Sequence, residues 1–283
     1  MPALTDKSPA RFILPAQPLR RYISAYYFLN TGPDETEQED FLYPEWATVR
    51  FTLQSKAAGN TVGLAPLDIP ADSITGPTGR AALLRFRNVV VVGFGLLPLG
   101  WYRMIGCPAD RWADKVSAVD AAPEFGQIAQ LRREIEGLSD PEQIAALCDH
   151  ILLKALGHTD PLEADISNVT DLARATGIPT QRLERLSRRI FGFPPKLLLR
   201  RQRFLRTLAT VMEHPDLNWS GALDGHYFDQ AHFNREFQTF MGMSPGQYLA
   251  MPRAVSSAAN RTRAQHVGQL LQLLQVPGPP NGQ

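Results

Sequence analysis

Nine of the residues between Pro179 and Arg206 are basic (Arg182, Arg185, Arg188, Arg189, Lys196, Arg200, Arg201, Arg203 and Arg206), and Glu184 is the sole acid among them. The chemistry open to such a set is recognition of a polyanion. The field is local, because the formal net charge of the chain is only +1, and a concentrated positive region steers phosphates even on a nearly neutral molecule. A solvated helix face would carry the same charges, so the surrounding pattern has to decide. Leu183, Leu186 and Ile190 form the inward stripe of a helix whose first turns point Gln181, Arg182, Glu184 and Arg185 outward. Arg pairs bidentately with guanine, Gln with adenine, and Glu accepts from cytosine N4. These four are the base-contact candidates, and Arg188, Lys196, Arg200 and Arg201 are the phosphate candidates.

The pattern recurs fifty residues on. Leu183-x-Arg185 meets Phe233-x-Arg235, and Gly192-Phe193-Pro194-Pro195 meets Gly242-Met243-Ser244-Pro245. In this second copy Asp229 is placed to cap a helix that presents Gln230, Ala231, Asn234 and Arg235 and turns Phe233, Phe237 and Phe240 inward. Ala231 could meet only a thymine methyl; Asn234 suits adenine and Arg235 guanine. His232 is a further phosphate candidate, with packing against Phe233 as the competing role. Ser244-Pro245 opens a final helix, since Pro is favoured at the first helical position.

Each candidate set needs an element to hold it. A short helix with Val169, Leu172 and Ala173 inward, capped by Asn168 or Thr170 and ended at Gly177, would precede the first set and complete a helix-turn-helix. From about Pro195 to Glu213 the spacing predicts one continuous helix. Roughly twenty residues at ~1.5 Å each span ~30 Å, close to the ~34 Å of a DNA turn, so two reading heads could enter successive major grooves.

Upstream the period changes. In TVRFTLQ, Val49, Phe51 and Leu53 alternate with Thr48, Arg50, Thr52 and Gln54, as in a half-buried strand. Gly and Pro punctuate short segments up to Gly79, ALLRFR alternates again, and VVVVGFG is apolar on both faces, as in a buried strand. Residues 1–120 thus read as a mostly-β domain. Pro123–Gly137 and Asp140–Leu156 read as a helical hairpin, with Asp140 as N-cap and Gly157–Pro161 as linker, so that 121–160 joins the β domain to an all-α region over 161–253. Residues 254–283 read as a flexible tail with a frayed, Leu-rich helix at Val267–Leu274.

Other chemistries lack their residues. No His precedes His150, so the His cluster of a β-domain metal site is missing, and no metal or cofactor is expected. Cys107 and Cys148 lie far apart in apolar contexts, as reduced thiols do. MPALTDKSPARFILP has no basic n-region and no apolar h-region, which argues against a signal peptide. The longest apolar run, Val89–Leu99, contains Gly93, Gly95 and Pro98 and falls short of the ~20 residues of a membrane helix. A cytoplasmic protein without membrane contact is the expectation, and an enzyme is not.

Residues 166–252, and above all YFDQAHFNREFQTFMGMSPGQY, resemble the DNA-binding domain of the AraC/XylS family of transcription regulators. PLRRYISAYYF, ITGP, VVVVGFGLLPLGWYRMIG and CPADRWADKVSAVD resemble the cupin-like small β-barrel sensor domain of a subgroup. The resemblance implies an α+β, two-domain protein: a small barrel with a helical hairpin, then two helix-turn-helix motifs joined by a long linker helix. It implies double-stranded DNA as partner, and it admits a small-molecule effector, RNA polymerase and a homodimer. Tyr22, Tyr26, Tyr27, Trp46 and Trp101 would line the effector pocket, with core packing as their other role. The chain departs from the pattern at Ser187, Pro194, Gly221 and His226. Some DNA-repair methyl acceptors share the helical domain, but their Pro-Cys-His-Arg motif is absent. The runner-up to a regulator is a ligand- or protein-binding module whose second helix-turn-helix has degenerated.

Overall fold

The computed structural model describes residues 9–33, 36–54, 57–61, 67–156, 180–214, 227, 229–268 and 271. Among them ten strands form two antiparallel sheets. They are β1 (Ala10–Ile13), β2 (Ile23–Asn30), β3 (Gln38–Leu42), β4 (Ala47–Gln54), β5 (Ala57–Thr61), β6 (Leu67–Ile69), β7 (Asp72–Thr75), β8 (Ala82–Phe86), β9 (Val90–Leu96) and β10 (Val116–Ala118). The larger sheet runs β1-β2-β9-β4-β7-β10 and the smaller β3-β8-β5-β6. Seven helices follow: α1 (Gly126–Glu134), α2 (Pro141–Leu156), α3 (Thr180–Phe191), α4 (Pro195–Glu213), α5 (Gln230–Met241), α6 (Pro245–Ala250) and α7 (Ala254–Val267).

The alternation in β4 holds as far as Thr52, after which Leu53, expected inward, is exposed together with Gln54. Val49 and Phe51 are buried in the outer core, with Tyr26, Phe28, Phe94 and the inward faces of α1 and α2. Thr48, Arg50 and Thr52 line a cavity between the sheets. The large sheet is therefore covered on one face by helices and lined on the other with polar and apolar side chains. β9 follows the same parity: Val92, Phe94 and Leu96 join the outer core, while Val91 and Gly95 face the cavity. At Gly93 the Tyr27 hydroxyl passes close by to donate to the Val49 carbonyl at 3.2 Å, leaving no room for a Cβ.

The helical hairpin forms as its residues require. Asp140 caps α2, its carboxylate accepting from the Gln143 amide at 2.9 Å, and Ile144, Cys148 and Leu152 turn inward at helical spacing. Burying each such side chain contributes roughly 1.5–3 kcal/mol. Asp149 on α2 accepts from the Tyr26 hydroxyl at 2.8 Å and ties the hairpin to β2.

One expectation needs correction. Over Ala254–Val267 the carboxyl-terminal region is a helix, α7, held to β3 by the Ser256 amide donating to Asp40 at 2.7 Å. Its first turn is thus fixed by a buried carboxylate, and the Leu-rich piece expected from Val267 falls largely outside the described residues, although Leu271 is buried. The helical region also shares its core with the barrel: Ile190, Phe191, Phe193 and Leu198 belong to the outer core, and Phe41, Tyr43 and Ala81 belong to the cluster around Phe204, Phe233, Phe237 and Tyr248.

Candidate nucleic-acid interface and cavity

The first candidate recognition helix is α3. Gln181, Arg182 and Arg185 are exposed on it, while Glu184 is half-buried and accepts from Arg188 one turn on at 2.9 Å. That exposed i,i+4 pair is worth only a few tenths of a kcal/mol, so Arg188 stays available to a phosphate. Ser187, a departure from the family pattern, is buried and donates to the Phe193 carbonyl at 2.7 Å, which fixes the turn into α4. Gly192 sits there at φ +82, the left-handed region that favours glycine, and a Cβ would meet the Pro77 ring at 2.9 Å. The preceding support helix, with Asn168, Val169, Thr170, Leu172, Ala173 and Gly177, lies outside the described residues, as do Gly221 and His226.

The second candidate recognition helix is α5. Asp229 caps it by accepting from the His232 amide at 2.6 Å, and Gln230, Ala231, Asn234 and Arg235 are exposed along its outer face. Phe233, Phe237 and Phe240 are fully buried, with Phe204 of α4 stacked on Phe240 at 4.9 Å. Ser244 and Gln247 form a reciprocal capping box that starts α6. Between the two candidate helices lies α4, whose 19 residues span about 28 Å at helical rise.

A basic groove runs between α4 and α5, lined by Lys196, Arg200, Arg203, His232, Arg235 and Glu236. Glu236, only 2% exposed, organises it: it accepts from Arg200 at 2.6 Å and Tyr227 at 3.3 Å and is paired with Arg203 at 3.2 Å. Lys196 is exposed, whereas Arg200 is half-buried. The imidazole of His232 packs edge-on against Tyr227 at 5.3 Å.

Arg201 does not belong with the phosphate candidates. It is 1% exposed and turns away from the basic face into the barrel, donating to the Thr78 carbonyl at 2.6 Å and the Glu45 carbonyl at 3.4 Å. Its guanidinium lies 4.3 Å from the Trp46 ring centroid. Burial lowers its pKa to about 10, against the opposing pull of Asp114 and Glu45. The residue is an anchor between α4 and the barrel. Two further contacts join the same surfaces: the Ala81 amide donates to the Phe240 carbonyl at 2.8 Å, and the Tyr43 and Tyr248 hydroxyls share a hydrogen bond at 2.8 Å.

The aromatic pocket candidates also change place. Tyr22, Tyr26, Trp46 and Trp101 are core side chains: Tyr26 bonds Asp149, Trp46 lies under Arg201, and Trp101 donates to the Cys107 carbonyl at 2.9 Å. Of the five aromatics expected, Tyr27 lines the cavity, because strand parity sends it to the face opposite Tyr26. The cavity measures about 480 Å³ and takes its walls from both sheets and from α7. Within it Glu45 accepts from Arg50 at 3.1 Å and from Thr48 at 3.0 Å. Polar cavity residues missed at the sequence level include Thr48, Arg50, Ser256, Asn260 and Arg263. The signal for the last three was a polar stripe at helical spacing in a region read as flexible tail. Among the described residues no group of three or more His, Cys, Asp or Glu could hold a metal ion, and no helix is long and apolar enough to cross a membrane.

A helix-turn-helix domain model matches residues 172–251. No curated protein matches the chain. Solved structures with a similar course include ToxT from Vibrio cholerae (13% identity, TM-score 0.41, covering 78% of this chain and 97% of that one). A second ToxT structure from that organism gives 12% identity, TM-score 0.38, and 76% and 98% coverage. A point variant of ToxT gives 10%, 0.39, 80% and 97%.

Proposed function

We propose that this chain, which carries an AraC-type helix-turn-helix domain over residues 172–251, is a cytoplasmic, sequence-specific transcription regulator that reads two successive major grooves and answers to a small effector. The observation that carries this reading is the pair of exposed faces, Gln181, Arg182 and Arg185 on α3 and Gln230, Asn234 and Arg235 on α5. Each face begins at the start of its helix, where major-groove readers place their base contacts. One rigid element, α4, separates them. Arg188, Lys196 and Arg200 supply the phosphate contacts that set register.

The effector role rests on the cavity and on what touches its wall. Glu45 and Thr78 line the cavity with their side chains, and their carbonyls hold Arg201 of α4. A ligand that shifts either residue therefore acts on the spacer between the heads. The runner-up, a binding module with a degenerate second head, has less support: the Asp229 cap, the Ser244–Gln247 box and the Phe core of α5 are all intact.

A salt titration of duplex binding tests the reading. Counterion release predicts log K falling with log salt at about −0.9 per phosphate contact, together with preference for one operator over random duplex. Binding that is flat in salt and indifferent to sequence would support the runner-up.

A further inference from the structure

The groove between α4 and α5 carries more positive charge than the packing of two helices requires. Lys196, Arg200, Arg203 and Arg235 line it around one carboxylate, Glu236. Lys196, Arg200 and Arg203 recur at four- and three-residue spacing on one face of α4, and like charges so placed repel each other. Lys196 also stands in the first turn of that helix, where a cation opposes the helix dipole and no acid offsets it. Among the described residues, neither Lys196 nor Arg235 has an acidic partner.

An ion pair that merely joined the helices would match the carboxylate with one cation. Glu236 holds two. Arg200 donates to it through Nε at 2.6 Å, with its guanidinium 5.8 Å from the Phe240 ring centroid. Arg203 reaches the same carboxylate oxygen through Nη2 at 3.2 Å, with its guanidinium 4.9 Å from the Tyr227 centroid. Each guanidinium is thus fixed between the acid and an aromatic ring. Glu236 is buried, while Arg200 and Arg203 keep 38% and 27% of their side chains exposed. Because Arg200 gives only its Nε to Glu236, its two terminal nitrogens keep their donors for an anion in the groove.

The groove lies where a nucleic-acid backbone would pass. α4 begins four residues after α3 ends, so Lys196 and Arg200 follow directly on the first candidate recognition helix, and Arg235 belongs to the exposed face of the second. A duplex entered by both helices in successive major grooves presents its sugar-phosphate backbone between them. The fork of an arginine suits phosphate oxygens.

We propose that this groove seats one backbone phosphate between the two reading heads, held by Lys196, Arg200 and Arg203, and that Glu236 is the positioning residue that fixes the two guanidiniums upon it. The inference deepens the regulator reading and rests on it. By cancelling one positive charge Glu236 lowers the attraction for any duplex, and by fixing the guanidiniums it keeps the contact for a duplex in register. It sets specificity without touching a base.

The test uses the full chain, its preferred duplex recovered from a random pool, and random duplex as reference. A neutral methylphosphonate is placed singly at each phosphate between the two sequence elements, and one position or two adjacent ones should lower affinity about tenfold. Arg200→Gln, which leaves the Glu236–Arg203 pair in place, should weaken the unmodified duplex about tenfold, make the salt slope shallower by about 0.9, and show no further loss at that phosphate. Glu236→Gln should weaken the preferred duplex about tenfold while random duplex binds as well as before or better. A purely structural Glu236 would instead lower the thermal midpoint and weaken both duplexes in proportion; should E236Q not fold, R200Q decides. A methylphosphonate effect that survives R200Q, or a preference that survives E236Q, would overturn the proposal. A preferred duplex with no sensitive phosphate between its elements defeats the seat alone, whereas a pool that yields no preferred duplex defeats the regulator reading and the seat with it.

Discussion

At the scale of single residues, the same side-chain type does different work according to where its helix turns it. Arg235 stands on the exposed face of α5, whereas Arg201 is sealed between Trp46 and two carbonyls of the barrel. Arg235→Ala is expected to cost about 1–3 kcal/mol on the preferred duplex and to relax one base position, with little effect on random DNA; competition binding against both measures it. Arg201→Ala should act on stability instead, by about 2–4 kcal/mol, through the lost cation–π contact, the lost hydrogen bonds and the void left behind. A melt or denaturant titration reads that, and an unchanged midpoint with uniformly weakened DNA binding would contradict it. Cys148 gives a third expectation. Burial pushes its thiol up to about 12, so at pH 8 almost none is thiolate, and alkylation should reach it only after unfolding. Charge alone could not separate Arg201 from its neighbours in sequence. Its place became legible only once Trp46 and the Glu45 and Thr78 carbonyls were brought beside it.

At the scale of elements, the parts written in local chemistry were legible and the parts written in distant pairing were not. The limits of α4, the Asp229 cap, the Ser244-Pro245 start and the Asp140 cap all follow from residues within one turn of each other. The β4 alternation was equally plain, but a period of two says that the faces differ and not what each one meets. Here the polar face of Thr48, Arg50 and Thr52 meets a cavity, because the second sheet lies over it. Aromatic content likewise suggested pocket walls where parity placed core: Tyr26 and Tyr27 are neighbours in sequence and face opposite sides. The helix α7 was hidden for a related reason. Its inward stripe is polar, so no apolar periodicity announced it, and its contact at Asp40 lies more than two hundred residues away. Removing residues 254–283 is expected to open the cavity at α7 and lower the thermal midpoint by several degrees, as the lost packing of one helix on a domain of this size should. Calorimetric scanning of the truncated chain checks this, and an unaltered midpoint would mean that α7 contributes nothing to the fold.

At the scale of the whole molecule, the barrel and the reading heads are not independent bodies joined by a string. Phe191 lies against Trp46 at 5.9 Å, Arg201 reaches the loop behind the cavity, and Tyr43 meets Tyr248. Both candidate recognition helices are thus tied to the barrel, the first through the end of α3 and the second through α5 and α6. In the proposed function, residues 41–45 and 78–81 are the route from the cavity to the DNA-binding surface. The coupling expected between two such sites is about 1–3 kcal/mol, and it must be reciprocal: an effector that strengthens operator binding is itself bound more tightly when operator is present.

Selection of duplexes from a random pool by the full chain tests the central claim most directly. Two short sequence elements should emerge with centres one helical turn, about 10–10.5 base pairs, apart. Arg185→Ala should relax one of them and Arg235→Ala the other. A pool that remains unenriched, or a single element indifferent to both substitutions, would contradict the reading of two heads on successive grooves.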